Sequence, residues 1–113
     1  MHAICAQQEV VRHLRFCEGF TEAAGSVCRN ISEGFGRFES APIVQFFGYA
    51  LGSLAEVEDY LRECVTRGFI DEARSQELSK LAEHTRAVTL NFSQYHQKKL
   101  RTARRSRQTA RRT

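Results

Sequence analysis

The hydrophobic positions of this chain recur at helical spacing through most of its length. From residue 42 to residue 67 the apolar residues step by four and three, the spacing of one helix face. This seam consists of Ile43, Phe47, Ala50, Leu54, Val57, Leu61 and Cys64. Similar spacing over residues 8–33, and from residue 71 to about 97, predicts two further helices. No stretch alternates convincingly with a period of two, so the sequence predicts an all-α fold.

Glycine, serine and aspartate residues mark the ends of the predicted helices. Gly34 and Gly36 are expected to end the first helix, and Gly68 to follow the last turn of the second. Ser40 and Asp71 are the expected N-caps of the second and third helices, since their side-chain oxygens can accept from free backbone N–H groups. The connections are only a few residues long. We therefore expect an antiparallel up-down helical bundle.

Charge divides the chain into two parts. Residues 98–113 hold eight cations and no acid: Lys98, Lys99, Arg101, Arg104, Arg105, Arg107, Arg111 and Arg112. Residues 1–97 carry nine Lys and Arg against thirteen Asp and Glu, a balance of −4. We predict a helical bundle domain over residues 1–97 and a basic, disordered tail over residues 98–113. Such a tail would attract phosphates. The alternatives are a solvated terminus that adds solubility and a tail that contacts the acidic body of another subunit.

Polar residues at helical spacing flank the first predicted turn. Asn30, Glu33 and Arg37 share one face of the first helix, and Ser53 and Glu56 share one face of the second. We predict that these five residues form a structural polar network that fixes the helix register, with Arg37 paired to Glu56. A contact surface for RNA or a small ligand is the alternative interpretation.

Motifs for catalysis or cofactor binding are not found in the sequence. It has no Glu-x-x-His pair for a carboxylate-bridged metal site and no glycine-rich phosphate loop. His13, His84 and His96 lie on predicted helices with no evident Ser or Cys partner. We therefore predict that the protein is not an enzyme, with no catalytic residues, no metal site and no cofactor.

The cysteines are expected to be small buried hydrophobic residues in a reducing cytosol, because they form no Cys-x-x-Cys pair. They are Cys5, Cys17, Cys28 and Cys64, and the last three fall on apolar stripes. A disulfide or a metal site is the alternative. No apolar run approaches the roughly 18 residues that a bilayer requires. The prediction is a cytoplasmic protein that does not contact a membrane.

Two motifs in order resemble a known family. Asn30-Ile-Ser-Glu-Gly-Phe-Gly-Arg37, followed by Ala50-Leu-Gly-Ser-Leu-Ala-Glu56, is similar to the four-helix-bundle family of the 23S rRNA intervening-sequence proteins. That family also looks related to the accessory protein of diversity-generating retroelements. The resemblance covers residues 16–95 and implies a nucleic-acid-associated homo-oligomer, a pentamer in relatives, without established catalysis. Thr21 and Glu22 replace an arginine pair of the family motif, which weakens the transfer of nucleic-acid binding to that face.

A second departure from the family concerns its first helix. Members usually have a full helix before the motif, whereas about twenty residues precede Thr21 here. We expect the first helix to be short or missing, which would leave an apolar groove open. A partner subunit, residues 1–8, or residues encoded upstream would then fill that groove.

The function predicted from the sequence is binding of RNA or DNA through phosphates by a non-enzymatic, oligomeric helical bundle. The predicted contacts are Arg29 and Arg37 together with the eight cations from Lys98 to Arg112. The alternative is a protein–protein interaction module whose open apolar groove accepts a helix from a partner. A reverse transcriptase is one candidate for a protein partner.

Overall fold

The computed structural model of the protein describes the backbone of residues 2–112 and the side chains of residues 11–112. Nearly all of this backbone is helical: α1 spans His2–Phe35, α2 spans Ser40–Thr66 and α3 spans Glu72–Arg112. No strand occurs within the described backbone. The structure therefore confirms the all-α prediction, with three helices in the part of the chain that it describes.

The turn between α1 and α2 differs in part from the prediction. Helix α1 ends at Phe35, directly before Gly36, but Phe38 is the residue that adopts the left-handed conformation, with a φ of 61°. Gly34 is buried within the last turn of α1. A Cβ atom at Gly34 would lie 2.8 Å from the ring of Phe47. This glycine therefore permits the close approach of α1 to α2 rather than ending the helix.

The predicted N-cap of α2 is wrong, whereas the predicted N-cap of α3 is confirmed. Ser40 is the first residue of α2 and not its N-cap; the cap is Glu39, which makes no side-chain capping hydrogen bond. The Ser40 hydroxyl instead shares a hydrogen bond with His96. Asp71 caps α3 as predicted, because its Oδ1 accepts from the backbone N–H of Arg74 at 2.7 Å.

Gly68 ends α2 as the sequence predicts. Its φ is 74°, a left-handed conformation that glycine adopts without steric cost. The backbone N–H of Phe69 donates to the Cys64 carbonyl at 2.9 Å, and that of Gly68 donates to the Val65 carbonyl at 3.0 Å. These two bonds form a Schellman motif, which satisfies the last carbonyls of α2 and turns the chain towards α3.

Helix α2 lies between α1 and α3 and runs antiparallel to both. Two layers of contact cross all three helices: Val27, Leu54 and Ala82 in one layer, and Phe35, Phe47 and Phe92 in the other. Residue numbers rise from the first layer to the second in α1 and α3 and fall in α2. Within the described residues, α1 and α3 meet through side chains while their backbones stay apart. The core is therefore organised around α2.

The seam predicted along α2 is the core-facing side of this central helix. Its members Ile43, Phe47, Ala50, Leu54, Leu61 and Cys64 are buried, and Val57 packs half-buried against the same cluster. Phe47 is only 2% exposed and lies in the aromatic layer. The four–three spacing therefore identified the core of the protein correctly.

Helix α3 continues far beyond the end predicted near residue 97. It remains helical to Arg112, so the structure describes as helix the residues for which the sequence predicts a disordered tail. Every residue from 101 to 112 is exposed. At 1.5 Å per residue, these twelve residues extend about 18 Å past the bundle, in a molecule whose longest dimension is 79 Å. We call residues 98–112 the basic segment. The division of the chain into two domains at residue 97 stays a prediction.

The bundle leaves an apolar groove open between α1 and α3. The groove has a volume of about 290 Å³, and its lining includes Ile31, Phe35, Val88 and Phe92. Val88 is 56% exposed. Leu81, about two helical turns earlier on the same side of α3, is 62% exposed. The total accessible surface is 8586 Å², whereas a compact monomer of this mass should expose about 6,300 Å². The projecting basic segment contributes to this excess, since every residue from 101 to 112 is exposed.

Candidate nucleic-acid interface

The basic segment is the largest concentration of unopposed charge in the protein. Its eight cations are all exposed and lie on one continuous helix. Six ion pairs occur among the side chains of residues 11–112, and none of them involves a cation of this segment. The Lys99 ammonium lies 5.1 Å from the ring centroid of Tyr95, a cation–π contact. The segment therefore presents most of its positive charge to solvent.

An open cleft lies at the base of the basic segment, where α3 passes the start of α2. It is lined by Ser40, Tyr95, Lys98, Lys99, Leu100, Thr102 and Ala103, with a volume of about 640 Å³. The Ser40 hydroxyl and the Nδ1 atom of His96 share a hydrogen bond of 2.9 Å beside it. The sequence had indicated no Ser partner for His96, because the two residues are 56 positions apart. This bond ties α3 to the first turn of α2.

Protonation of His96 is disfavoured in the folded protein. His96 is 8% exposed and contacts the rings of Phe92 and Tyr95. Burial lowers its pKa below the ordinary value, and the charge of Lys99 lowers the pKa further. Neutral His96 therefore belongs to the native core.

Stability is expected to fall at acidic pH because of His96. In the unfolded chain the imidazole binds a proton near pH 6.5, whereas the folded state resists protonation. The contribution is complete above that pH and is lost as the pH falls towards and below the lowered pKa. Urea unfolding at pH 7.5 and pH 5.0 measures this loss.

The matched pair for this measurement is His96→Gln and His84→Gln, since His84 is exposed on the same helix. We expect His84→Gln to lose as much stability between the two pH values as the native protein, and His96→Gln to lose less. An equal loss in both variants would show that His96 does not cause the pH dependence.

The polar network predicted at the first turn is divided into separate contacts. Ser26 and Ser53 share a hydrogen bond of 2.7 Å between α1 and α2. The Asn30 amide donates to the Ser26 carbonyl at 2.8 Å and to the Ser26 hydroxyl at 3.1 Å. Asn30 and Ser53 therefore meet through Ser26, which was not a member of the predicted network. The spacing of Ser26 and Asn30 by four residues was the available signal.

The charged members of that predicted network lie at the surface. Arg37 Nε donates to Glu33 Oε1 at 3.0 Å, and its guanidinium lies 5.4 Å from the ring centroid of Phe46. Glu56 is exposed, and the predicted pair between Arg37 and Glu56 does not form. The reason is that Glu33, in the last turn of α1 and four residues before Arg37 in the chain, is the nearer carboxylate.

The two body arginines predicted to contact nucleic acid are both in ion pairs. Arg29 pairs with Glu22 at 2.6 Å, and Arg37 pairs with Glu33. Both pairs are exposed, so solvent screens them and each contributes little to stability. A phosphate would have to compete with these carboxylates, which makes Arg29 and Arg37 weaker candidates than the cations of the basic segment.

The cysteines differ in exposure more than the sequence analysis expected. Cys64 is buried, whereas Cys17 and Cys28 are exposed and were wrongly expected to be buried; all three are free thiols. The side chain of Cys5 lies outside the described residues. Burial raises the pKa of Cys64, with a smaller contribution from the nearby Cys17 thiol. Both effects reduce the thiolate fraction of Cys64.

Alkylation of the native protein should therefore distinguish the cysteines. We expect Cys17 and Cys28 to react with iodoacetamide at least about 100-fold faster than Cys64, because Cys64 must wait for local opening. Peptide mass spectrometry of a time course measures each rate, and labelling in urea provides the control. Equal rates in the native protein would contradict the burial of Cys64.

Within the part of the chain that the structure describes, no group of three or more His, Cys, Asp or Glu side chains could hold a metal ion. None of the described helices combines the length and the apolar character needed to cross a membrane.

The fold and the projecting basic helix define an all-α protein with a charged extension. Over residues 3–91 the chain matches the sequence model of the 23S rRNA-intervening sequence protein family. The match covers most of the chain, and the protein belongs to this family. No curated protein and no solved structure matches the chain significantly. The basic segment lies beyond the matched residues.

Proposed function

We propose that this protein is a non-enzymatic helical-bundle protein that binds RNA or DNA through phosphate contacts. The observation that supports this most is the basic segment, with eight exposed cations and no ion pair to any carboxylate among residues 11–112. Six of the cations in the body are already paired with carboxylates, by contrast. Phosphate contacts release counterions from nucleic acid, which favours binding without sequence readout.

The test is a neutral-segment variant in which all eight cations of the basic segment are replaced by Gln. Gln is a good helix former, so the helix should persist. We expect the variant to bind a 20-base-pair duplex at least about 1,000-fold more weakly than the native protein at 50 mM salt. Fluorescence anisotropy measures the affinity, and circular dichroism checks the fold. Unchanged affinity in the folded variant would reject the proposal.

The apolar groove supports a second candidate function, docking of a helix from a second copy of this chain. Val88 and Leu81 are large apolar residues that are more than half exposed along the groove side of α3. An amphipathic helix seated between α1 and α3 would cover them and complete a four-helix arrangement.

Light scattering tests this second candidate by measuring the mass of the purified protein. We expect an oligomer for the native chain and a smaller particle when Leu81 and Val88 are both replaced by Gln. Leu90→Gln is the control, because Leu90 lies on the opposite side of α3. A native monomer would reject groove-mediated assembly. A pentamer, a reverse transcriptase partner and the link to retroelement accessory proteins stay predictions.

A further inference from the structure

The helical state of the basic segment has a consequence that a disordered tail would not have. At 3.6 residues per turn, seven of its eight cations fall on one half of the helix. The opposite side carries the eighth cation, Lys99, and otherwise small uncharged residues, namely Thr102, Ala103, Ser106, Thr109 and Ala110. A flexible polycation has no such faces, whereas a rigid helix presents its charges in a fixed pattern.

The cations on the charged half form two rows. The first row contains Lys98, Arg101, Arg105 and Arg112, and the second contains Arg104, Arg107 and Arg111. Their mean directions are about 120° apart around the helix axis. Gln108 lies between the two rows. One helix face therefore has positive charge along both of its edges and the Gln108 amide at its centre. An amide side chain can form hydrogen bonds with the edge of a base.

We infer that the basic segment inserts into the major groove of duplex DNA, with its two rows of cations on the two phosphate backbones that border the groove. An α-helix with side chains is about 10–12 Å across, and the major groove of B-form DNA is about 12 Å wide. The segment is about 22 Å long, enough to cross the groove. This inference rests on the proposed function and narrows its ligand to one form of nucleic acid.

The geometry of other nucleic acids fits the two rows less well. The major groove of A-form RNA is deep and narrow and does not admit side chains on a helix of this width. Binding to single strands favours aromatic platforms on which bases stack. The segment from 98 to 112 contains no aromatic residue, and Tyr95 at its base is covered in part by Lys99. Duplex DNA is therefore the ligand that the segment fits best.

A substitution that breaks the helix without changing its charge tests this inference. Ser106 is exposed in the middle of the segment. Proline there removes a backbone hydrogen bond and clashes with the preceding turn, so the two halves of each row lose their alignment. Ser106→Ala is the control, because alanine preserves the helix. Both variants keep all eight cations, and neither substitution touches the core.

We expect Ser106→Pro to bind a 20-base-pair DNA duplex at least tenfold more weakly than Ser106→Ala, which should bind like the native protein. The native protein should also prefer that duplex at least tenfold over an RNA duplex and over single-stranded DNA of the same sequence. Bulky groups at the C5 position of pyrimidines project into the major groove and should weaken binding.

Equal affinity of Ser106→Pro and Ser106→Ala would overturn the inference, as would tighter binding to the RNA duplex or the single strand. Either result would leave phosphate binding by the segment intact, since the charges remain. Failure of the proposed function has a different signature, namely unchanged affinity of the neutral-segment variant.

Discussion

Binding of this protein to duplex DNA is expected to weaken steeply as salt increases. Each phosphate neutralised by a cation contributes about −0.9 to the slope of log affinity against log salt. The basic segment carries eight cations, so a slope of up to about −7 is expected if all of them contact phosphates. A titration by fluorescence anisotropy from 50 to 200 mM salt measures the slope directly.

Two variants with the same change in net charge separate the segment from the body. Replacing Arg101, Arg104, Arg105 and Arg107 by Gln should make the slope shallower by about three to four. Replacing Arg12, Arg15, Arg62 and Arg74 by Gln should leave the slope nearly unchanged, since Arg62 and Arg74 already pair with carboxylates. Equal slopes in the two variants would show that net charge matters and its position does not.

Truncation of Phe47 is expected to cause the largest loss of stability among single substitutions in the core. Its side chain is 2% exposed and packs against the rings of Phe35 and Phe92 at centroid distances of 5.4 and 5.2 Å. Phe47→Ala removes the side chain that joins all three helices and leaves a cavity, at a cost of about 3–5 kcal/mol. Urea unfolding measures the change in the free energy of unfolding.

Phe38→Ala is the matched control, because it is the same substitution at a position that is 89% exposed. Its expected effect is within about 0.5 kcal/mol, since no packing is lost. A comparable loss of stability in both variants would mean that Phe47 does not hold the helices together. Unchanged stability of Phe47→Ala would contradict the packing of the aromatic layer.

Local sequence signals predicted the features that depend on neighbouring residues. The seam from Ile43 to Cys64 is buried because its spacing matches the turn of a helix, whatever the partner. Gly68 ends α2 and Asp71 caps α3 because these roles need only the backbone geometry within a few residues. These features could be predicted without knowing the packing of the helices.

Signals for helix ends were less informative where tertiary packing competed with them. Gly34 looked like a helix end, but it serves the close approach of Phe47. Ser40 looked like an N-cap, but its hydroxyl is shared with His96 from a distant part of the chain. In both cases a residue from another helix determined the role of the side chain.

The sequence predicted which residues make up the candidate site, but not that they lie on a helix. The sequence identified the eight cations and their charge excess, because net charge is a sum over residues. It did not indicate that they lie on a helix, since repulsion between like charges disfavours one. In the structure α3 extends through the segment to Arg112, and two cations lie in its last turn. There they interact favourably with the negative end of the helix dipole.

Three properties could be read from the amino-acid sequence: the protein is helical, one face of α2 forms its core, and the excess of positive charge lies at one end of the chain. These properties depend on spacing and composition alone. How the polar residues pair, and that an apolar groove stays open between α1 and α3, followed only from the packing of the helices, because such contacts join residues far apart in the chain. The helical state of the basic segment was likewise seen only in the structure. Once that helix is known, its two rows of cations follow from the sequence at 3.6 residues per turn.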